Sequence, residues 1–429
     1  MAEKSGKDDL LKDFLRVNTK TLKMVGLWNS FGLERKRRPA YTIYSWFVAA
    51  VIFIHVVTQV ADLFYIWGDL GGFSATASTL LTYGAALIKQ LCYLANSNQI
   101  YRMVHRLRDG KLSPPFKWSE EQKNIARSYD RHARIMSWSY YSLGIGCLFC
   151  FAMTAIVSNS IPTQAGTNST EPTPRKLPYR AVFPFDIEQV GYYAIAFGFQ
   201  MLVILFGPTV NIGLDTMFVG LVIHACGQFK ILKNALRNIK QRATSIVDNE
   251  RIKEEDSSDE TDRNTSHNNQ EQHDRFLENL QQQMSIGLHD CLQHHQEILT
   301  FITELEDVFN PMMLAQFLSS SGTLCLIIFQ ITVMDDWGFG MATFVQFLAI
   351  SIMQLLLFCW YGNELTYQCE SMVRAAYESP WYEASEAFKR SIRIMVVRSM
   401  KPFGLTGGKL YVMSLDTFVV VRCLLVFRR

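Results

Sequence analysis

The chain has 429 residues, of which 49% are hydrophobic, and a formal net charge of +3. Its mean hydropathy is close to zero, which fits a bundle of membrane-spanning helices joined by polar segments. The small net charge gives no support to a nucleic-acid-binding protein, so no nucleic acid partner is expected. The lipid bilayer is the expected environment.

Seven apolar stretches are candidate membrane spans. Met341–Tyr361 is the clearest, because it runs without a charged side chain and is long enough to cross ~30 Å of hydrocarbon at ~1.5 Å per residue. In chain order the spans are Tyr41–Ile66, Ala75–Ala95, Ser139–Val157, Tyr192–Val222, Met312–Val333, Met341–Tyr361 and Leu410–Phe427. The pattern predicts an all-α membrane protein of seven transmembrane helices, with four spans in residues 41–223, two in residues 309–362 and the last in residues 404–429.

Lysine and arginine alternate between rich and poor segments along the chain. The rich segments are residues 1–40, 97–134, 224–308 and 363–403, which hold ten, nine, nine and six basic residues, whereas residues 159–189 hold three. Because basic segments stay in the cytoplasm, the N-terminus is predicted to lie inside. The first 40 residues lack the features of a signal peptide, so the first span is expected to direct insertion itself.

The cytoplasmic segments carry helical periodicity. Apolar residues repeat at spacings of three and four in Phe229–Ile239, Ile286–Phe309 and Thr366–Met400, so the fourth, fifth and sixth spans are predicted to continue as helices that pack into a cytoplasmic anchor domain. Between the first two, residues 244–283 are rich in Asp, Glu, Ser, Asn and Gln. Disorder is expected there, with a solvated charged helix as the alternative.

The sequence offers no arrangement that supports catalysis. We find no Ser-His-Asp arrangement, no phosphate-binding glycine loop and no paired carboxylates on a predicted membrane cavity, so neither an enzyme nor a cofactor is expected. His289, Cys291, His294 and His295 do not place three ligands on one face of a helix. No metal site is therefore predicted.

A few ionisable residues lie inside the predicted spans, where each is costly. Asp62 and Lys89 are close enough to span ends for their charged groups to reach the membrane interface, which is the interpretation favoured for both. Asp416 and Arg422 lie on the thinnest apolar stretch. Their helix is expected to face protein or water.

Several short motifs resemble the insect odorant receptor family. The most specific lie near the C-terminus, and others precede the fourth and fifth spans or follow the start of the chain. They are Trp381-Tyr382, Arg398-Ser399-Met400-Lys401-Pro402, Leu405-Thr406-Gly407-Gly408-Lys409, Ser414-Leu415-Asp416-Thr417-Phe418, Pro184-Phe185-Asp186, His295-Gln296 and Met24-Val25-Gly26-Leu27-Trp28. The resemblance covers essentially the whole chain.

This resemblance implies an odorant-tuning subunit of a tetrameric, ligand-gated, non-selective cation channel in the plasma membrane of a sensory neuron dendrite. A shared odorant co-receptor subunit would complete the heterotetramer. Each tuning subunit would bind a small volatile odorant in the outer half of its helix bundle. With the predicted orientation, the outer-half candidates for ligand contact are Thr79, Tyr83, Phe151, Thr154, Tyr193, Phe197, Met201, Phe329 and Phe344.

The resemblance also assigns the final span to the pore. Its pore-lining residues would be Ser414, Thr417, Phe418 and Val421. In the family the final helix continues through small and aromatic residues to a hydrophobic constriction, whereas here the sequence after Phe418 is VVVRCLLVFRR. A shortened final span is therefore expected.

Three other readings of the sequence remain open. A gustatory receptor of the same architecture is the closest alternative, and the Ser-Leu-Asp-Thr-Phe and Pro-Phe-Asp motifs favour olfaction over it. A G-protein-coupled receptor needs an external N-terminus, which the basic residues 1–40 oppose. A transporter is disfavoured because no internal repeat of broken spans is visible.

The predicted orientation determines where glycosylation is possible. Asn168 begins an Asn-Ser-Thr acceptor in an external segment, whereas Asn264 begins an Asn-Thr-Ser acceptor in an internal one. We expect endoglycosidase to lower the apparent mass of the wild type and of Asn264→Gln, but not of Asn168→Gln, on an immunoblot. A glycan on Asn264 would contradict the orientation.

Overall fold

The structure is a computed structural model that describes residues 15–28, 38–108, 112, 118–160, 177–187, 189–257, 268–333, 339–401 and 403–419. Within these residues the protein is almost entirely helical. The helices are α1 (Arg16–Met24), α2 (Arg38–Tyr65), α3 (Leu70–Arg108), α4 (Glu120–Ser160), α5 (Val190–Arg237), α6 (Ile239–Ser257), α7 (Asn268–Val333), α8 (Phe339–Glu378) and α9 (Glu386–Ser399), with a short 3-10 helix at Trp381–Glu383. The predicted all-α fold is confirmed.

Each of the first six predicted spans coincides with part of one long helix, although the first, Tyr41–Ile66, runs one residue past the end of α2. Four of the described helices are long and apolar enough to cross a membrane, namely those that contain Pro39–Tyr65, Val190–Arg237, Glu271–Val333 and Met341–Tyr377. The predicted second and third spans lie in α3 and α4. In the predicted seventh span, residues 415–419 are helical, and residues 420–429 lie outside the described part of the chain.

Helices α5, α7 and α8 are longer than a membrane crossing requires. Helix α7 has 66 residues, or roughly 100 Å at ~1.5 Å per residue, which is about three times the ~30 Å hydrocarbon thickness. The extensions bury one apolar cluster together with α9, which includes Leu236, Leu288, Met372 and Met395. The helical extensions therefore pack into one unit, called the anchor domain below, and its cytoplasmic location remains a prediction.

Ion pairs join the rim of this anchor domain. Arg237 on α5 binds Glu378 on α8 with a nitrogen–oxygen distance of 2.6 Å. Lys240 on α6 donates to Glu383 in the 3-10 helix, and this hydrogen bond lowers the pKa of the Glu383 carboxyl. Both pairs are solvent-exposed, so they orient the helices and add little stability.

The polar insert is helical wherever the structure describes it. Residues 244–257 belong to α6 and residues 268–283 to α7, so the expected disorder is wrong for these stretches and the charged-helix alternative is correct. The physical reason is a sparse apolar stripe at a spacing of four residues. It is formed on α6 by Ile239, Ala243 and Val247 and on α7 by Leu280, Met284 and Leu288, all of them buried. Residues 258–267 lie outside the described residues.

A small hairpin connects the anchor domain to the last helix. Its strands, β1 (Thr406–Gly407) and β2 (Tyr411–Val412), pair antiparallel with Thr406 opposite Val412. The turn has positive φ at both central residues, Gly408 and Lys409, as a type I′ turn requires. Asn310 of α7 donates to the Thr406 carbonyl oxygen at 3.1 Å. The hairpin is thus tied to α7.

The anchor core provides a direct stability test on α9. Phe388 is 2% exposed, whereas Ile394 on the same helix is 63% exposed. We expect Phe388→Ala to destabilise the protein by about 3–5 kcal/mol, because it removes a fully buried ring and leaves a cavity. Ile394→Ala should leave the melting temperature of the detergent-solubilised protein nearly unchanged. Equal melting temperatures for the two variants would contradict the packing of α9.

Candidate ligand cavity

A cavity lies among helices α3, α4, α5, α7 and α8. It has a volume of about 70 Å³. Its apolar lining includes Ala86, Leu148, Ile212, Phe347 and Ile350. The lining also carries many hydroxyl and amide groups, which belong to Thr79, Thr82, Tyr83, Tyr140, Tyr179, Asn211, Gln316, Ser319, Ser320, Thr323, Ser351 and Gln354. The site therefore combines apolar walls with hydrogen-bonding groups, as small-molecule sites do.

A buried ion pair lies at one end of the cavity. The Lys89 ammonium on α3 is 2.5 Å from the Asp215 carboxylate on α5, and both side chains are 2% exposed. Lys89 also donates to Asn211 Oδ1 at 2.5 Å. Gln354 Nε2 and the Tyr140 hydroxyl donate to Asp215 Oδ2 at 2.5 and 3.5 Å. These contacts join α3, α4, α5 and α8 through one carboxylate.

The ion pair joins the helices and also supports the polar wall of the cavity. Asn211, Gln354 and Tyr140 each contact the pair and also line the cavity. Their contacts to the charges fix the orientation of these three side chains. A ligand in the cavity would therefore meet groups held rigidly by the ion pair.

The expectation that Lys89 and Asp62 reach the membrane interface is wrong. Lys89 is held inside the bundle by Asp215, and Asp62 accepts a hydrogen bond from Thr76 at 3.0 Å while it is 6% exposed. Each of these two side chains has a partner on another helix, and that contact compensates for its lost hydration. The Lys89 partner lies 126 residues away in the sequence.

Two of the predicted ligand contacts line the cavity. Thr79 and Tyr83 on α3 are both lining residues. The Tyr83 hydroxyl donates to the Tyr179 hydroxyl at 3.0 Å, and the Tyr83 ring packs edge-on against His55 with the centroids 4.7 Å apart. The Tyr83 ring is thereby fixed at the cavity edge.

Other predicted contacts lie away from the lining. Tyr193 and Phe197 stack on each other with ring centroids 5.9 Å apart, Met201 packs against the main core, and Phe329 is 38% exposed. Phe344 packs in a small cluster beside the lining residues Cys147 and Phe347. The cavity itself therefore gives no support to a ligand contact by these five. The side chains of Phe151 and Thr154, and residues Asn168 and Val421, lie outside the described part of the structure.

The described start of the final helix contains three of the predicted pore residues. Ser414 Oγ accepts from the Thr417 backbone N–H at 3.3 Å and so caps residues 415–419 in the usual manner of a serine. Phe418 packs against a cluster of Leu324, Leu355 and Cys359. Within one subunit Phe418 thus faces its own helices, and pore lining by these residues remains a prediction.

Sequence reasoning missed most of the cavity's polar residues. In the fifth span Gln316, Ser320 and Thr323 recur at spacings of four and three, and in the sixth Ser351 and Gln354 are three apart. Those spacings place polar groups on one face of an otherwise apolar helix. This pattern was the available signal, since polar groups inside a membrane span tend to face protein or a cavity.

Residues 69–424 match the family model of the 7tm odorant receptors. The chain belongs to this family. The odorant receptor co-receptor of Anopheles gambiae is 23% identical over 432 aligned residues, with 88% of each chain covered. Odorant receptor 10 of Aedes albopictus is 22% identical, with 83% of each chain covered. The odorant receptor described here is a multi-pass membrane receptor and not an enzyme.

The fold matches that of a solved odorant receptor. The olfactory receptor OR5 of Machilis hrabei superposes with a TM-score of 0.76 at 14% identity, covering 97% of this chain and 96% of the other. The structure of OR5 in complex with eugenol gives a TM-score of 0.77 over the same shares of the chains. At this identity the comparison establishes a shared fold.

The ion pair can be tested by removing one or both charges. Lys89→Met leaves Asp215 buried without its counter-charge, which typically costs about 3–5 kcal/mol. We expect a large drop in melting temperature for this odorant receptor variant in detergent. The double variant Lys89→Met/Asp215→Leu should recover most of the loss.

The matched control is Lys123→Met, since Lys123 pairs with the exposed Glu120 on α4. This surface change should leave the melting temperature unchanged. A double variant no more stable than Lys89→Met would contradict the role given to the pair.

Proposed function

We propose that this odorant receptor is the ligand-binding subunit of a ligand-gated, non-selective cation channel, and that a small volatile odorant binds in the cavity between α3, α4, α5, α7 and α8. The observation that carries the proposal is the cavity itself, with apolar walls and a fixed polar end. The olfactory receptor OR5 of Machilis hrabei, which shares this fold, has been solved in complex with eugenol.

The chemistry of the lining fits a weakly polar ligand. Burial of apolar surface contributes about 25 cal/mol per Å², and Ile212, Ile350, Phe347 and Leu148 provide such surface. The charges of Lys89 and Asp215 satisfy each other. A neutral molecule therefore fits the cavity without leaving a buried charge unpaired.

The cavity is close to the hairpin that precedes the pore segment. Gln316 lines the cavity, and the next residue, Phe317, packs on the Tyr411 ring with the centroids 4.1 Å apart. The Tyr411 hydroxyl donates to the Met313 carbonyl oxygen at 3.1 Å. A displacement of α7 by bound ligand would thus reach β2 and the final helix directly. We propose this contact as the route from ligand to gate.

The proposed assembly is a heterotetramer with a shared odorant co-receptor subunit in the plasma membrane of a sensory neuron dendrite. Several curated relatives are themselves co-receptors, and another is an odorant receptor. The alternation of basic segments supports a cytoplasmic N-terminus and anchor domain. No part of the proposal requires a cofactor.

Two neighbouring isoleucines on α8 test the site. Ile350 lines the cavity, whereas Ile352 is 40% exposed on the outer surface of the helix. With the co-receptor co-expressed, we expect Ile350→Ala to raise the half-maximal concentration of an activating odorant about tenfold, because apolar contact with the ligand is lost. Ile352→Ala should leave the dose–response curve unchanged. Whole-cell current and surface biotinylation measure the two effects separately.

The same experiment also shows whether the ligand binds outside the cavity. Phe197→Ala changes an aromatic residue outside the cavity lining. If Phe197→Ala shifts the dose–response curve and Ile350→Ala does not, the ligand binds elsewhere. If no odorant evokes current with or without the co-receptor, the proposed function itself fails.

A further inference from the structure

A second pocket lies between α4, α5 and α8. Its volume is about 300 Å³, which is at the lower end of the range usual for small-molecule sites. Its wall includes three aromatic side chains, Tyr129, Trp360 and Tyr361, and one carboxylate, that of Glu364. None of the residues that line it lines the candidate ligand cavity. This Glu364 pocket is therefore a separate site.

The Glu364 pocket lies at the ends of three predicted spans. Of its lining residues, His132 precedes the third span, Ile223 directly follows the fourth, and Tyr361 ends the sixth. Under the predicted orientation all three positions belong to the cytoplasmic side of the membrane. The pocket is therefore within reach of a lipid headgroup and of a soluble molecule.

The Glu364 carboxylate brings a negative charge to the wall of the pocket. Its Oε1 accepts from Gln368 Nε2 at 2.6 Å, and Gln368 Oε1 accepts from the Lys233 ammonium. Because an ammonium only donates and a carboxylate only accepts, these two partners fix the orientation of the Gln368 amide. Within the described residues Glu364 forms no salt bridge, and its side chain is partly exposed. The carboxylate thus keeps capacity for a cationic partner.

The aromatic side chains are held in place by their neighbours. The Tyr129 ring packs on the bare backbone of Gly227, where an added Cβ would lie 3.1 Å from Tyr129 Cγ. The Tyr361 hydroxyl and His132 Nε2 share a hydrogen bond of 2.9 Å, and Trp360 is 50% exposed. Burial raises the pKa of Tyr129 to about 12, so this ring stays neutral. Neutral aromatic rings have negative faces that attract cations.

From this arrangement we infer that the Glu364 pocket binds an organic ammonium group, either the choline or ethanolamine headgroup of a phospholipid or a soluble amine of the same kind. Neutral aromatic rings beside a carboxylate recognise alkylammonium ions, because the rings attract the cation and the carboxylate balances its charge. An anion would be repelled by Glu364. A hydrocarbon would leave the lost hydration of the carboxylate uncompensated. The inference does not depend on the odorant site.

Choline and 3,3-dimethyl-1-butanol form a matched pair of probes. The alcohol has carbon in place of the quaternary nitrogen of choline, so it keeps the shape and lacks the charge. The purified full-length chain is placed in nanodiscs of digalactosyldiacylglycerol, an uncharged lipid without an ammonium group, and binding is measured as a rise in melting temperature. We expect choline to bind about tenfold more tightly than the alcohol.

Two variants test the residues assigned to the site. Glu364→Gln keeps an acceptor for Gln368 and removes the charge, so the preference for choline should disappear while binding of the alcohol is unchanged. Trp360→Leu changes a partly exposed ring and should lower the affinity for choline about threefold or more. Glu370→Gln is the control, because Glu370 is exposed on the same helix outside the pocket lining. It should preserve the preference.

Nanodiscs of phosphatidylcholine distinguish the two sources of the ammonium group. Stabilisation by choline in the galactolipid but not in phosphatidylcholine would assign the pocket to the lipid headgroup, whereas equal stabilisation in both would assign it to a soluble ligand. Either result supports the inference. Choline that binds no more tightly than the alcohol in the galactolipid, or equally well to the wild type and Glu364→Gln, would overturn the inference and leave the proposed odorant site intact.

Discussion

The buried pair of Lys89 and Asp215 is the contact on which the arrangement of the bundle depends. A charge inside a membrane bundle is tolerated where a partner and further hydrogen bonds compensate for its lost hydration. Here the compensation comes from Asn211, Gln354 and Tyr140, which lie on three different helices. The requirement to satisfy both charges therefore fixes how α3, α4, α5 and α8 meet, and it leaves three oriented polar side chains on the wall of a cavity.

The cavity and the last helix are connected through a rigid contact. Helix α7 contributes Gln316 to the cavity and Phe317 to the hairpin, where that ring packs on Tyr411. The hairpin is in turn tied to α7 through Asn310 and Thr406. The anchor domain holds the other end of α7 through buried residues such as Leu288. Helix α7 therefore links the cavity both to the hairpin and to the anchor domain, so under the proposed function ligand binding would act on the final helix through α7.

Local sequence patterns predicted the helices. Features that depend on which distant residues pair with each other could not be predicted in this way. Apolar runs such as Met341–Tyr361 identified the spans, because length and hydropathy alone decide whether a segment can cross a bilayer. The partner of Lys89 is distant in sequence, so its burial could not be inferred from its position near a span end. A helical insert was only the alternative prediction, because the polar composition of residues 244–283 outweighed the few spaced apolar residues such as Val247 and Leu280. Tyr83 was predicted from its place in the outer half, whereas Gln316 was missed although its spacing from Ser320 and Thr323 was an available signal.

The most direct test is the structure of this receptor with an activating odorant, determined by cryo-electron microscopy. We expect ligand density among Tyr83, Gln316 and Ile350, with the Lys89–Asp215 pair intact beside it. Density beside Tyr193 and Phe197, with an empty cavity, would contradict it.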